Sequence, residues 1–418
     1  MLCLDIFEEF KSIAENPKKQ FADLLSEGKK VIGCLPYYCP EELIYAAGMI
    51  PFGIWGADIE ATESKRWFPS FICSILHTAL ELGIKGEFDG MTAVMVPKLC
   101  DSLKCMGANW ECAVPGIPVI NVTHAQNRKM AAGVEFTASQ YRKALGELER
   151  LSGKPVSNRD ISDAISLLNK RRRLLRSFTS LAASHADVVS PRMRNDVIKS
   201  SYYLEAERFI SMLEELNDLL SSLPVSMWSG LRIVTTGILA DSPMLLDILE
   251  ESHIAIVDDQ VVHESVSFCS DVPEDDGSGD AADGDAAGGG NANGGDAAGG
   301  GNANGGAAAC GDAADPVVRL ARMIANIEGT SVLHDPGKRR ASELVRKVSE
   351  ANADGVIFIL TKFCDPEEYD YVPVKKLLDT EGIPCLLIEV DRQTAGYEQA
   401  RSAIEAFAGM INLNWQFR

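Results

Sequence analysis

The chain has 418 residues, 46% of them hydrophobic, a formal net charge of −20 and eleven cysteines. That length exceeds a single compact core and predicts two or three domains, and neither the charge balance nor any local Lys/Arg patch suits a nucleic-acid partner. No apolar run reaches the roughly eighteen residues of a membrane span, and MLCLDIFEEFKSIAENPKK lacks the features of a secretory signal.

A cytoplasmic protein without membrane contact is therefore expected. In a reducing compartment its cysteines read as buried hydrophobes, metal ligands or redox groups.

In chain order, KVIGCLP, IPFGIW, MTAVMVP and IPVINV are short, apolar and bounded by Gly or Pro, which predicts buried strands. Between them, PEELIYAAG and PSFICSILHTALELG predict helices ending at Gly48 and Gly83, the second starting at Pro69. From Ser157 to Ser222 the pattern is continuously helical and highly charged, and the Arg171–Arg173 run reads as a solvated helix face rather than an anion patch. A second set of strands follows at LRIVTTGIL, IAIVDD, GVIFILTK and PCLLIEVD, interleaved with SPMLLDILEE, RRASELVRKVSEA and YEQARSAIEAFAGMI.

This alternation predicts an α/β fold with two doubly wound parallel-sheet domains. The expected division is an N-terminal α/β domain over 1–156, a helical connector over 157–228 and a C-terminal α/β domain over 229–418. Residues 271–315 carry nine Asp, one Glu and no Lys or Arg, and GDAAGGGNANG at 284–294 recurs unchanged at 295–305. Such a stretch buries too little apolar surface to offset chain entropy, so a disordered low-complexity insert is expected.

Parallel sheets bind ligands at the carboxyl ends of their strands. Cys34, Cys100 and Cys364 fall at such ends, and Cys73 is expected inside the helix from Pro69, whose amino end points to the same crevice. No GxGxxG after a strand, GxxxxGK[ST], HExxH, GxSxG or CxxC is present, which removes the usual dinucleotide, P-loop, zincin, hydrolase and zinc-ribbon signatures. The spacing Cys100-x4-Cys105-x6-Cys112 alone fits ordinary packed cysteines at least as well as an iron–sulfur motif, whose local ligands are set closer.

The segments PEELIYAAGMIPFGIWG, FPSFICSILHTALELGIKG, VPKLCDSLK, NWECAVPGIPVINV and FCDPEEYDY, in this order, closely resemble the (R)-2-hydroxyacyl-CoA dehydratase family, which is related to benzoyl-CoA reductase. The likeness runs through nearly the whole chain except the insert. It implies a [4Fe-4S] cluster on each of two homologous subunits, held here by Cys73 in FICSIL, Cys100 in KLCDSLK and Cys364 in KFCDPEEYDY. Cys34, Cys39, Cys105, Cys112, Cys269, Cys310 and Cys385 then become structural or incidental. Three thiolates leave one iron without a protein sulfur, open to another ligand.

Tyr37 stands where the family's substrate-binding subunit carries Ser, so the likeness is closer to the partner, the beta subunit. Two departures stand out. Val266 replaces the Arg of the family's HESR segment, and Ala400 and Ser402 occupy positions that are usually more polar. His263 and Glu264 read as a hydrogen-bonded loop pair before a catalytic one, and catalytic residues stay unassigned.

The resemblance further implies a homologous alpha subunit in a heterodimer, an acyl-CoA substrate and an ATP-dependent iron–sulfur activator protein that delivers one low-potential electron. The thioester then becomes a ketyl radical anion, hydroxide leaves, and the electron is recycled when 2-enoyl-CoA forms. Two other readings stay open: a subunit of a benzoyl-CoA reductase-type enzyme, and a non-catalytic cluster-bearing paralogue.

Overall fold

The computed structural model describes residues 2–35, 37–225, 227–273, 315–393 and 396–416. The elements run α1 (Leu2–Glu15), α2 (Pro17–Ser26), β1 (Val31–Cys34), α3 (Glu41–Ala46), β2 (Ile50–Gly53), α4 (Ser74–Ile84), β3 (Ala93–Pro97), α5 (Asp101–Ala113), β4 (Val119–Val122) and α6 (Ala131–Ser152). Three helices follow, α7 (Asn158–Ser184), α8 (Pro191–Ser200) and α9 (Ala206–Ser222). The remainder is β5 (Leu231–Gly237), α10 (Pro243–Glu251), β6 (Ile254–Val261), α11 (Pro316–Asn326), α12 (Arg339–Glu350), β7 (Gly355–Thr361), α13 (Asp365–Thr380), β8 (Cys385–Val390) and α14 (Glu398–Gln416).

Two four-stranded parallel sheets result, in the orders β2-β1-β3-β4 and β6-β5-β7-β8. Helices cover both, as parallel strands buried on two faces require. All eight strands coincide with the apolar runs of the sequence. They are legible because β1, β2, β3, β5 and β7 are buried almost end to end, leaving continuous apolar runs rather than alternation. Among the described residues no helix is long and apolar enough to cross a membrane.

The expected continuous helix over 157–222 is three. A capping box starts α7, with Ser157 Oγ accepting from the Asp160 N–H and the Asp160 carboxylate accepting from the Ser157 N–H. Ser190, accepting from the Met193 N–H, and Pro191 in the first turn start α8 afresh. Of the Arg171–Arg173 run, expected to be a solvated face, only Arg173 is exposed. Arg171 and Arg172 are largely buried and pair with Glu41 and Glu42 of α3, while Arg173 reaches Asp271 at 2.7 Å.

The expected insert is ordered at its borders. Val272 exchanges two hydrogen bonds with the Asn169 side chain, and Pro273 O accepts from Arg319 at 3.1 Å. Asp315 caps α11 and meets Arg142 at 2.7 Å. The disorder expected for 274–314 lies outside the described residues. Val266, Phe268, Val272 and the apolar face of α11 join the core of the first sheet, so the chain returns to the amino-terminal half before completing the second sheet.

Trp110 on α5 is fully buried and stacks on Phe88 at 6.2 Å, and Gly83 lets α4 lie against it, because a Cβ there would come 2.8 Å from the indole. Trp110→Ala should therefore cost about 3–5 kcal/mol through the cavity it leaves. Urea denaturation followed by circular dichroism reads this directly.

Candidate functional site

In each sheet the loops that matter leave the carboxyl ends of the strands. From the first sheet come Tyr37 and Tyr38 after β1, Trp55 and Asp58 after β2, and Cys100 after β3. From the second come Asp241 after β5, His263 after β6, Cys364 after β7 and Arg392 after β8. These two sets face each other. The rings of Trp55 and His263 lie 4.6 Å apart, and Arg392 donates to Asp58 at 2.9 Å.

Each of the three cysteines singled out by resemblance occupies the N-cap of a helix: Cys73 for α4, Cys100 for α5 and Cys364 for α13. For Cys73 this corrects the expectation that it lies inside a helix from Pro69. The Pro69 carbonyl is occupied by the Ile72 N–H at 3.2 Å and by His77 Nε2 at 3.1 Å, so residues 69–72 form a turn and the helix begins after Cys73.

The N-cap placement brings first-turn backbone N–H groups near the sulfurs, those of Leu76 and Glu367 being shared with the Cys73 and Cys364 carbonyls at 3.1 and 2.9 Å. The N–H groups of Ile75 and Leu76 approach Cys73, those of Ser102 and Leu103 approach Cys100, and that of Glu367 approaches Cys364. The thiols also feel one another. Burial pushes Cys73 up to about 12, with the charge of Cys100 adding to the rise, and Arg392 acting the other way. Cys364 is driven well up by burial and then by Cys73, and Cys100 is raised by burial. Tyr37 sits within reach of all three, its hydroxyl raised by burial and by the charges of Cys100, Cys364 and Cys73.

Three mutually repelling, largely buried thiols are protonated on their own and become thiolates only against a positive centre. Cys73 and Cys364 share one apolar cluster with Trp55, Ile75, Ile238, Leu239, Val262 and Val332, so such a centre would be dry on that side. Among the described residues no three His, Cys, Asp or Glu side chains surround one point closely enough for a single metal ion. A polynuclear cluster makes a different demand, because each thiolate binds a different iron and the ligands stand around a body rather than a point. The donor set, the apolar wall and the N–H groups fit that group.

The backbone around these positions is strained. Tyr37, Tyr38 and Phe363, the residue before Cys364, have φ of 45°, 59° and 61°, a region that costs non-glycine residues about 1–3 kcal/mol each. The aromatic packing of Tyr37 on Tyr38 and Trp55, at 5.7 and 5.6 Å, holds the first two.

Cys105 and Cys112 are exposed on α5, away from this face, and Cys34 and Cys39 line a separate cavity behind Tyr37 and Tyr38. Val266 lines that cavity too and is buried in the first core. Glu264 is fully buried, held by Arg194 and by Asn195 Nδ2 at 2.9 Å, and His263 O accepts from Tyr202 OH at 2.7 Å. The His263 ring stacks on Tyr202 at 4.7 Å, and burial pushes it down to about 3, so it is neutral.

The sequence reading missed Arg392, Asp241, Asp58 and Lys199. The Arg392 guanidinium donates to both oxygens of Asp241 at 2.8 Å, Lys199 reaches Asp241 at 3.0 Å, and the Arg392 backbone N–H donates to Ser74 Oγ at 3.3 Å. The available signal was charge directly after a strand, in ILADSP and EVDRQ.

Glu81 anchors the far end of α4. Its carboxylate accepts from the N–H groups of Thr62 and Ser64 at 3.1 and 2.8 Å and pairs with Lys85 at 2.9 Å. Burial alone would raise it, but Ser64, Lys85 and Thr62 outweigh burial and bring it from 4.5 down to about 2. A depressed folded pKa gives stability that is full above about 4.5 and lost as pH falls towards 2. Glu81→Gln should thus remove up to about 3 kcal/mol at neutral pH and flatten the acid limb of the stability profile, measured by urea titration from pH 7 to 3.

The family model described as 2-hydroxyglutaryl-CoA dehydratase, D-component, matches residues 36–285 and 296–411. The chain is 41% identical to the (R)-phenyllactyl-CoA dehydratase beta subunit of Clostridium sporogenes, over 96% of this chain and 97% of that one. It is 35% identical to the (R)-2-hydroxyglutaryl-CoA dehydratase subunit beta of Acidaminococcus fermentans, over 96% and 98%. Identity to the lactoyl-CoA dehydratase subunit beta of Anaerotignum propionicum is 31%, over 97% and 98%. With both the matched model and these relatives spanning nearly its full length, the chain belongs to the 2-hydroxyglutaryl-CoA dehydratase D-component family.

Proposed function

We propose that the chain is the iron–sulfur beta subunit of a 2-hydroxyacyl-CoA dehydratase, a hydro-lyase that removes water from an (R)-2-hydroxyacyl-CoA to give a 2-enoyl-CoA. The observation that carries this reading is the set of three N-cap cysteines, Cys73, Cys100 and Cys364, that come from three loops to surround Tyr37, whose hydroxyl feels the charge of all three. The beta-subunit names of the three dehydratase relatives support the reaction and the subunit.

Under this reading the three cysteines hold a [4Fe-4S] cluster. Bound there, the cluster would supply the low-potential one-electron chemistry that expulsion of hydroxide next to a thioester requires and that acid–base catalysis, worth about two to four orders of magnitude, does not replace.

The chain's own residues hold and shield. The first-turn N–H groups of α4, α5 and α13 stabilise the thiolates, and Tyr37, Trp55 and Ile75 exclude water from their apolar side. The partners are a homologous alpha subunit and an ATP-dependent iron–sulfur activator protein, with acyl-CoA as substrate. The cavity behind Tyr37 and Tyr38 holds about 80 Å³, well below the several hundred Å³ of a typical ligand pocket, which supports substrate binding mainly on the alpha subunit. The described cysteines are free thiols, in keeping with a cytoplasmic site of action.

Anaerobic purification with iron and sulfide analysis and electron paramagnetic resonance tests the assignment. The parent should carry about four irons per chain, and Cys73→Ala, Cys100→Ala and Cys364→Ala should each lose most of them. Cys105→Ala and Cys112→Ala should match the parent, and a colourless, metal-free parent would defeat the reading.

Reconstitution with the alpha subunit and activator tests the reaction separately. The expected product of a 2-hydroxyacyl-CoA panel is a 2-enoyl-CoA with no net redox change. A reduced acyl product would instead assign the chain to a reductase.

A further inference from the structure

Arg392 joins parts of the chain that are far apart in sequence. From the carboxyl end of β8 it reaches Asp58 in the first half and Asp241 at the end of β5, and its backbone N–H meets Ser74, the residue after Cys73. The guanidinium and Asp241 are nearly inaccessible to solvent, while Asp58 is half-exposed. A small cavity lies against Arg392, lined by Asp58, Ser74, Asp241, Ser242, Thr361 and Tyr397. A buried cation that bonds two chain segments by side chain and a third by backbone fixes the geometry of all three. Its charge is felt strongly because little water is present to screen it.

We propose that Arg392 is a positioning residue for the metal centre: its side chain ties the loop that leads into α4, through Asp58, to Asp241 of the second sheet, and it sets the positive charge that the thiolates face. The charge half of this inference rests on the cluster reading above, and the positioning half does not. Two cations, Arg392 and Lys199, meet two carboxylates, Asp241 and Asp58, so neutralising Arg392 leaves net negative charge there and neutralising Asp58 leaves net positive charge. A cation near an iron–sulfur centre favours its reduced form, and an anion disfavours it.

The test uses the full chain, loaded anaerobically, with Arg392→Met, Arg392→Lys and Asp58→Asn, and redox titration followed by electron paramagnetic resonance at pH 8. Arg392→Met should move the midpoint potential to more negative values, Asp58→Asn should move it to more positive values, and Arg392→Lys should stay near the parent. Loosened packing alone would not give shifts of opposite sign. Equal potentials in all variants, or shifts of the same sign in Arg392→Met and Asp58→Asn, would overturn the charge role.

Iron-free chain supplies the second arm, through iodoacetamide labelling with peptide mass spectrometry. Arg392→Met should label Cys73 at least tenfold faster than the parent, with the buried Cys34 unchanged as a control for global unfolding. Unchanged Cys73 labelling would overturn the positioning role. A metal-free parent would defeat the cluster reading instead, and the labelling would still decide whether the Arg392 side chain holds the loop leading to Cys73.

Discussion

A parallel strand followed by a helix delivers the carboxyl end of one and the amino end of the other to the same edge of the sheet. Here two such edges face each other, and every feature of the candidate site follows from that constraint. Cys100 and Cys364 occupy N-caps because the short turn from strand to helix ends there, and Cys73 caps α4 at the end of a longer connection from β2; first-turn N–H groups approach all three sulfurs. Negative charge is favoured at such helix ends by about 0.3–1 kcal/mol at exposed sites and more when buried. Opposing this, burial raises all three thiols.

Charge is buried in pairs around the second sheet. Arg392 with Asp241, Arg194 with Asp259 and Glu264, and Arg340 with Glu367 each place a guanidinium against carboxylates out of water. Such pairs add little net stability compared with apolar packing, yet breaking one costs about 3–5 kcal/mol because the survivor stays buried and unpaired. Their contribution is therefore to geometry: they permit one relative placement of the strand ends and penalise others. Arg340 illustrates the reach of this, since Glu367 lies three residues beyond Cys364.

Aromatic packing completes the wall. Tyr37, Trp55, Tyr202 and His263 form a connected group with centroid separations of 4.6 to 5.6 Å, taking side chains from both halves. Val266 fits the same logic. It fills space in the first core beside Phe268, where an arginine would need a buried anion of its own. The left-handed conformations of Tyr37 and Tyr38 persist because this packing over-determines them.

The eight strands were readable one by one, most of them because a strand buried on both faces must be apolar along its length and needs no partner to reveal it. The class of fold followed from their alternation with helices. The cysteines were nameable from the residues around them, in FICSIL, KLCDSLK and KFCDPEEYDY, whereas their spacing along the chain carried no signal. Three things needed the tertiary structure. Cys73 became an N-cap because His77 folds back on Pro69, a side-chain contact that helix periodicity does not register. Arg171 and Arg172 became buried because Glu41 and Glu42, 130 residues away, supply their counter-charge. Arg392 acquired its place for the same reason: pairing over 151 and 334 residues to Asp241 and Asp58 is fixed by which strand ends meet, and local sequence encodes each end without encoding the meeting.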